Sequence, residues 1–199
     1  MKAVAGEVGA SPMGLYRHVE GRDDLLEAML DERLGALELS LSAAADWHEN
    51  VRAWMRHVRD HCLAHPEIFR LLALRAGGAI SPAWLRMVGT LVAPLQAAGL
   101  AGSELASALV WVSRLTMGTL MQEVSVPVVD TAAVLKGLDQ LAAEDALPWV
   151  DVLPELKRTS DDALFAIAEA QALAVVEQLT NDGPEPQERG EAKAARRKT

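Results

Sequence analysis

One cysteine, Cys62, is all the thiol chemistry in this 199-residue chain. A lone thiol can neither close an internal disulfide nor build a cysteine-rich zinc site, so both classes are excluded. Phe and Tyr are scarce, at two and one. Half the residues are apolar, yet no uninterrupted apolar run approaches the roughly 20 residues of a membrane span. The N-terminus lacks the charged region, apolar stretch and cleavage site of a secretory leader. These absences lead to the expectation of a soluble, cytoplasmic protein with no membrane partner. Positive charge is short too, with 19 Lys and Arg against 28 Asp and Glu and a net charge of -9. That total does not mark a nucleic-acid binder. No Gly-rich phosphate loop, His-Glu metal signature or nucleophile elbow is present. The expectation is therefore a non-enzyme that needs no cofactor and holds no metal.

What the chain does have is concentrated at its start, in Val4 to Leu26. The stretch reads as a short helix, a tight turn at Gly9-Ala10, a second helix capped by Ser11, and a loop into a third. Ser11 can accept from free amides of the next turn, and Pro12 at the first helical position gives up an amide that lacks a partner anyway. Ala5 and Val8 are expected to point inward from the first helix, and Leu15 and Val19 from the second. That is the layout of a helix-turn-helix, whose second helix enters the DNA major groove. Pro12, Met13, Gly14, Tyr16, Arg17 and His18 are left outside. Pro12 and Met13 can meet thymine methyls, Arg17 a guanine edge or a phosphate, and Tyr16 and His18 phosphate oxygens. A small helical hairpin in which Tyr16 merely packs fits the same spacing. Charge does not help here, because residues 1–24 carry Lys2, Arg17 and Arg22 against Glu7, Glu20, Asp23 and Asp24.

The run Ala5 to Leu26 resembles the DNA-binding signature of the tetracycline-repressor (TetR) family. The matching residues are Gly9, Ser11, Leu15-Tyr16, His18-Val19, Arg22 and Leu25-Leu26. Where the family usually has Lys, this chain has Arg22, which keeps the charge but changes its geometry. The resemblance implies that Tyr16, His18 and Arg22 hold the DNA backbone, while Lys2, Pro12, Met13, Gly14 and Arg17 face bases or nearby phosphates. Family members place a further helix before this motif. Here Met1 falls within what corresponds to the motif's first helix, so a head lacking its first helix is expected. The resemblance implies an all-α fold with a partial helix-turn-helix over 1–24 and a ligand-binding and dimerisation body over 25–180. A disordered tail is expected over 181–199, where Gly, Pro and charge replace apolar periodicity.

Along the body, leucines spaced three and four apart predict one helix from Arg22 to Ala45, with Met29, Leu37 and Leu41 on its apolar side. Asp46 is a plausible N-cap for Trp47 to Ala64, which includes apolar Leu63 and stops before Pro66. A helix over Pro66 to Ala76 is expected to meet Gly77-Gly78. Ser81-Pro82 starts another through Leu85 to Leu95, kinked at Pro94 and stopped by Gly99. Helices are also expected at Ser103 to Val124, Thr131 to Ala143 and Asp161 to Leu179, the last with Leu164 in its apolar stripe. Glu144 to Ser160 reads as a loop.

Trp and Met recur on the middle helices. A cavity lined by Trp54, Met55, Val58, Trp84, Val88, Trp111, Met117 and Met121 suits a flat apolar ligand, with Arg114 or His61 orienting it. Simple core filling explains the same residues. His57, His61 and His65 are spaced i, i+4, i+8, but no established ligand motif accompanies them, and a metal role is not expected. The resemblance implies a homodimer built on the helices Ser103 to Val124 and Asp161 to Leu179. It also implies a palindromic double-stranded operator and a hydrophobic or aromatic effector that releases it, most simply from a repressor. The competing reading is a dimerising interaction protein with impaired DNA binding that titrates full-length partners.

Overall fold

The computed structural model describes residues 1–9, 11–42, 44–74, 81–125, 131–156 and 158–181, and every regular element among them is helical. In chain order these are α1 (Lys2–Glu7), α2 (Pro12–Leu15), α3 (Arg22–Gly35), α4 (Trp47–Ala64), α5 (Glu67–Leu74), α6 (Pro82–Gly89) and α7 (Val92–Ala97). They continue with α8 (Gly102–Ser125), α9 (Thr131–Leu138), α10 (Ala143–Ala146), a 3-10 turn (Leu147–Trp149), α11 (Leu153–Leu156) and α12 (Asp161–Asn181). Gly77-Gly78, Pro127 and the tail over 182–199 lie outside the described residues.

The body is assembled around α4. Asp46 accepts the amide of Glu49 at 2.8 Å, which satisfies a free donor and fixes where the helix starts. Val51, Trp54, Met55, Val58 and Cys62 then recur at helical spacing, and all are buried. Around this stripe pack α7, α8 and α12. Trp54, wholly enclosed, donates its indole N–H to the Met87 carbonyl at 3.0 Å, so the ring is satisfied as well as packed. On the other side, α3 lies against α5 and α6.

Two expected helices are shorter than their leucine spacing suggests. α3 ends at Gly35, and Leu37, Leu39 and Leu41 follow in non-helical backbone, half-buried against the core, while Glu38, Ser40 and Ser42 face out. Apolar and polar residues alternate here with period two, the pattern of extended chain, so Leu37 and Leu41 only mimic a helical i, i+4 pair. Asn50 fixes the end of this segment, accepting from Ser42 N at 3.0 Å and donating to Ser42 O at 2.9 Å. Likewise Pro94 does not kink one long helix but lies within the separate α7. Its ring would meet the carbonyl of Thr90 in a continuous helix, and the chain breaks at Thr90 and Leu91. Gly99 (φ 93°) stops α7 as expected.

Further differences are local. α9 ends at Leu138, and the expected loop after it holds α10, the 3-10 turn and α11. Met29, Leu63, Leu85 and Leu164 are exposed rather than on buried stripes. α12 is long and apolar enough to cross a membrane, with mean hydropathy 1.3. However, its Glu169 is buried in a two-bond pair with Arg56 (2.6 and 2.8 Å), and its Glu177 meets His48 at 3.0 Å, which places it as a bundle helix.

Burial pushes the Cys62 thiol up to about 12. Alkylation of the native protein by iodoacetamide at neutral pH should be on the order of a thousandfold slower than of the unfolded chain, because the thiolate is the nucleophile. Comparable rates with and without denaturant would contradict this burial.

Candidate functional site

The head is built from two short helices and a glycine. Gly9 takes φ 68°, a conformation that L side chains rarely adopt, and so turns the chain between α1 and α2. Ser11 Oγ accepts the amide of Gly14 at 3.0 Å, forming the expected cap. α2 has only four helical residues and continues as turns, with His18 and Val19 amides both on the Leu15 carbonyl. Gly14 within it disfavours a longer helix. Ala5 and Val19 are buried and Leu15 is half-buried, as expected for inward positions. Val8 is not, being 63 % exposed just beyond the last residue of α1.

Met13 is 73 % exposed and Tyr16, the one tyrosine in the chain, 51 %. Lys2, Ser11, Arg17, His18 and Arg22 are exposed beside them, and Gly14 is half-buried. Pro12 supplies the first residue of α2. Thus a methionine, a phenol, an imidazole and a guanidinium share one short outward surface, with hydrogen-bond donors suited to phosphates and base edges. Arg22 forms a solvent-exposed pair with Asp23 at 3.3 Å, a contact weak enough for a phosphate to replace. Behind this surface, Asp24 accepts the Glu20 amide at 2.8 Å, tying the head to the first turn of α3.

The structure divides nine of the ten expected ligand residues into three groups and sets His61 apart. Trp84, Met117 and Met121 come together with Phe69, Leu72 and Gly118 around a cavity of about 300 Å³ between α5, α6 and α8. Trp54, Met55 and Val58 are fully buried core, and Val88 packs against that core half-buried, so none of the four lines this cavity. Trp111 and Arg114 point the other way, into an open groove on α8 beside Ala106, Ser107 and Val110. His61 is engaged elsewhere, its Nε2 lying 2.7 Å from the Arg33 carbonyl. His57 bonds its own helix at Ala53 O, and His65 lies 3.5 Å from Glu67. The His61 and His65 rings lie 4.8 Å apart, but the polar partners of the three histidines differ. A second cavity of about 510 Å³ lies under the extended segment at Leu39 and Leu41, against Ala93 and Pro94.

Phe69, Leu72 and Gly118 were not legible as a set, because they come from two distant parts of the chain. Gly118 did carry a signal. It stands in the middle of a 24-residue helix, where glycine costs about 0.5–1 kcal/mol relative to alanine. A Cβ placed there would meet nothing within 4 Å, so no neighbour requires its absence. Gly118 is itself exposed, at the edge of the cavity it helps to line. Gly118→Ala should therefore raise stability by about 1 kcal/mol and the melting temperature by roughly 2–4 °C. A destabilised variant in thermal unfolding would contradict the open space.

Two short helices turned by a glycine, joined by one helix to an all-helical body with an apolar cavity, define the architectural class. Residues 41–164 match the family model for the tetracyclin repressor-like C-terminal domain. The chain belongs to the TetR family of transcriptional regulators. It is 28 % identical over 123 residues to an HTH-type transcriptional regulator of Saccharopolyspora erythraea, a match covering 62 % of this chain and 51 % of that protein. The match thus spans about half the length of that curated relative. Among solved structures, a possible TetR family transcriptional regulator from Streptomyces coelicolor A3(2) is 26 % identical with TM-score 0.69, covering 89 % of this chain and 87 % of that one. The Streptomyces coelicolor TetR family protein ActR, in complex with actinorhodin, shares the fold at TM-score 0.74 and 20 % identity, covering 92 % and 88 %.

Proposed function

We propose that this chain is a ligand-responsive transcriptional repressor that binds a palindromic DNA operator as a homodimer. Residues 1–24 form the DNA-binding head and 25–180 the regulatory and dimerisation body. The observation that carries the reading is the outward display of Met13, Tyr16, Arg17 and His18, which no packing among the described residues explains. Tyr16, His18 and Arg22 hold phosphates with help from the Ser11-capped turn, and Lys2, Pro12, Met13, Gly14 and Arg17 approach base edges or adjacent phosphates.

The body supplies the dimer and the effector site. α8 and α12 pack on each other, yet Val110, Trp111, Leu164 and Ile167 remain exposed on them. Only about a third of the most apolar part of α12 is buried within the chain. A two-fold partner covering this surface makes a four-helix interface and sets two heads ~34 Å apart, one turn of DNA. Trp111 and Arg114 then belong to the interface rather than to a ligand. The effector is an uncharged aromatic or otherwise apolar molecule seated among Phe69, Leu72, Trp84, Met117 and Met121, since none of the described residues lining that cavity is charged. ActR holding actinorhodin supports a ligand site in a body of this fold. Effector binding favours a state whose heads no longer match successive major grooves.

A mobility-shift assay on the promoter beside the chain's own gene tests the reading. A retarded complex at about 100 mM salt, dissolved by an apolar aromatic compound that quenches tryptophan fluorescence, is the expected result. Absence of any complex at micromolar protein would refute DNA binding. For the dimer, Ile167→Glu should convert the sedimenting species to monomer, whereas an unchanged mass would exclude this face.

A further inference from the structure

We infer that Asp31 is the positioning residue through which the cavity acts on the head. The inference rests on the effector site proposed above and names its coupling. Two acceptors hold the start of α6. Ser81 Oγ, from the same segment, takes the Trp84 amide at 3.1 Å, and Asp31 Oδ1, from α3, takes the Ala83 amide at 2.8 Å. Pro82 has no amide to offer. Ser81 and Ala83 are both buried, so the Asp31 bond is made at the edge of the core rather than in open solvent. Its other oxygen lies 3.9 Å from Arg86 Nη2, further along α6.

The next residue after Ala83 is Trp84, which lines the cavity. An occupant that displaces Trp84 moves the amide that Asp31 holds, and a charged acceptor gives that bond strength and direction. Seven residues earlier on the same helix, and so on nearly the same face, Asp24 holds the Glu20 amide of the head. One helix thus grips the cavity wall with one carboxylate and the recognition turn with another. Two other polar contacts of α3 suit transmission less well. Arg33 and Glu67 pair at 3.1 Å, but both side chains are more than a third exposed, where screening weakens the pair. The bond from His61 to the Arg33 carbonyl ties the end of α3 to α4, which carries no residue of this cavity.

The test fills the cavity by substitution and so needs neither DNA nor an identified effector. Met117→Trp enlarges a half-buried side chain that already lines the cavity. Hydrogen exchange over residues 16–35 is measured by mass spectrometry in the wild type, Met117→Trp, Asp31→Ala and the double variant. With Asp31 present, the filled cavity should accelerate exchange by about fivefold or more, the lower end of ordinary allosteric coupling. Without it the acceleration should fall below about twofold, and Asp31→Asn, which keeps an acceptor, should restore part of it. Equal acceleration with and without Asp31, or none in either background, overturns the inference. If Met117→Trp does not fold, Met117→Phe is read by the same criteria. A chain that fails to bind DNA would sink the proposed function but leave this result standing, so the two failures are separable.

Discussion

A Tyr16→Ala, Arg17→Ala double variant is expected to bind operator DNA at least ~100-fold more weakly while unfolding at the wild-type temperature. An arginine reading a base edge contributes about 1–3 kcal/mol, and a hydrogen bond to a charged phosphate about 1.5–3. A homodimer loses both contacts at each half-site, so a hundredfold is a conservative floor. Folding should be spared because both side chains are exposed, and surface substitutions usually change stability by less than about 0.5 kcal/mol. Fluorescence anisotropy at fixed salt, with thermal unfolding alongside, separates the two effects. Undiminished DNA affinity would remove α2 from the groove. The head's acidic residues also favour a modest salt dependence, since few basic groups are available to displace counterions.

Arg59→Ala is expected to be the most damaging single change in the body. Arg59 on α4 grips Glu123 on α8 with bonds of 2.7, 3.0 and 3.1 Å and reaches Asp162 on α12 at 2.7 Å. Its guanidinium also lies 4.7 Å from the centre of the Phe165 ring. The hydrogen bonds to Glu123 hold its pKa above the ordinary arginine value, so it stays charged at any pH the fold survives. Glu123 is 9 % exposed. Losing Arg59 strands that carboxylate, which costs about 3–5 kcal/mol. Replacing both members by apolar residues, as in Arg59→Met with Glu123→Leu, should recover most of the loss, because desolvation offsets much of what such a pair contributes. Asp162 matters little, being almost fully exposed. Urea unfolding of the single and double variants checks this. A single variant within 1 kcal/mol of wild type would mean that water reaches Glu123.

How much of this was legible follows the range of the interactions. Caps are local, so Asp46, Ser81 and Gly99 mark real helix ends, and Ser11 marks the start of α2. The one tyrosine stood out at an exposed position for the same reason. Periodicity failed where two periods overlap, because Leu37, Leu39 and Leu41 satisfy period two, yet Leu37 and Leu41 alone also satisfy a helical repeat. Pro94 was readable as a disruption but not as a break, since the outcome depended on Thr90 four residues back. Composition leaves the aromatic and sulphur residues open between a pocket and simple core filling. Spacing could not tell that Trp54 would spend its N–H on Met87 while Trp84 faced open volume. The Arg59 and Glu123 pair, 64 positions apart, has no local signal at all. Gly118 was the one cavity residue whose local oddity could have been noticed.

Release of DNA by an effector would make the head and the cavity one thermodynamic system, and a linked titration measures that directly. A duplex is first enriched from a random pool by the wild-type chain. Its affinity is then measured by anisotropy with and without a saturating apolar aromatic compound identified by tryptophan fluorescence. The expected result is enrichment of a palindrome with half-sites one turn apart, and an affinity that falls by about 5–150-fold when the compound is bound. A chain that enriches no duplex, or one whose DNA affinity is the same with its cavity filled, would contradict it.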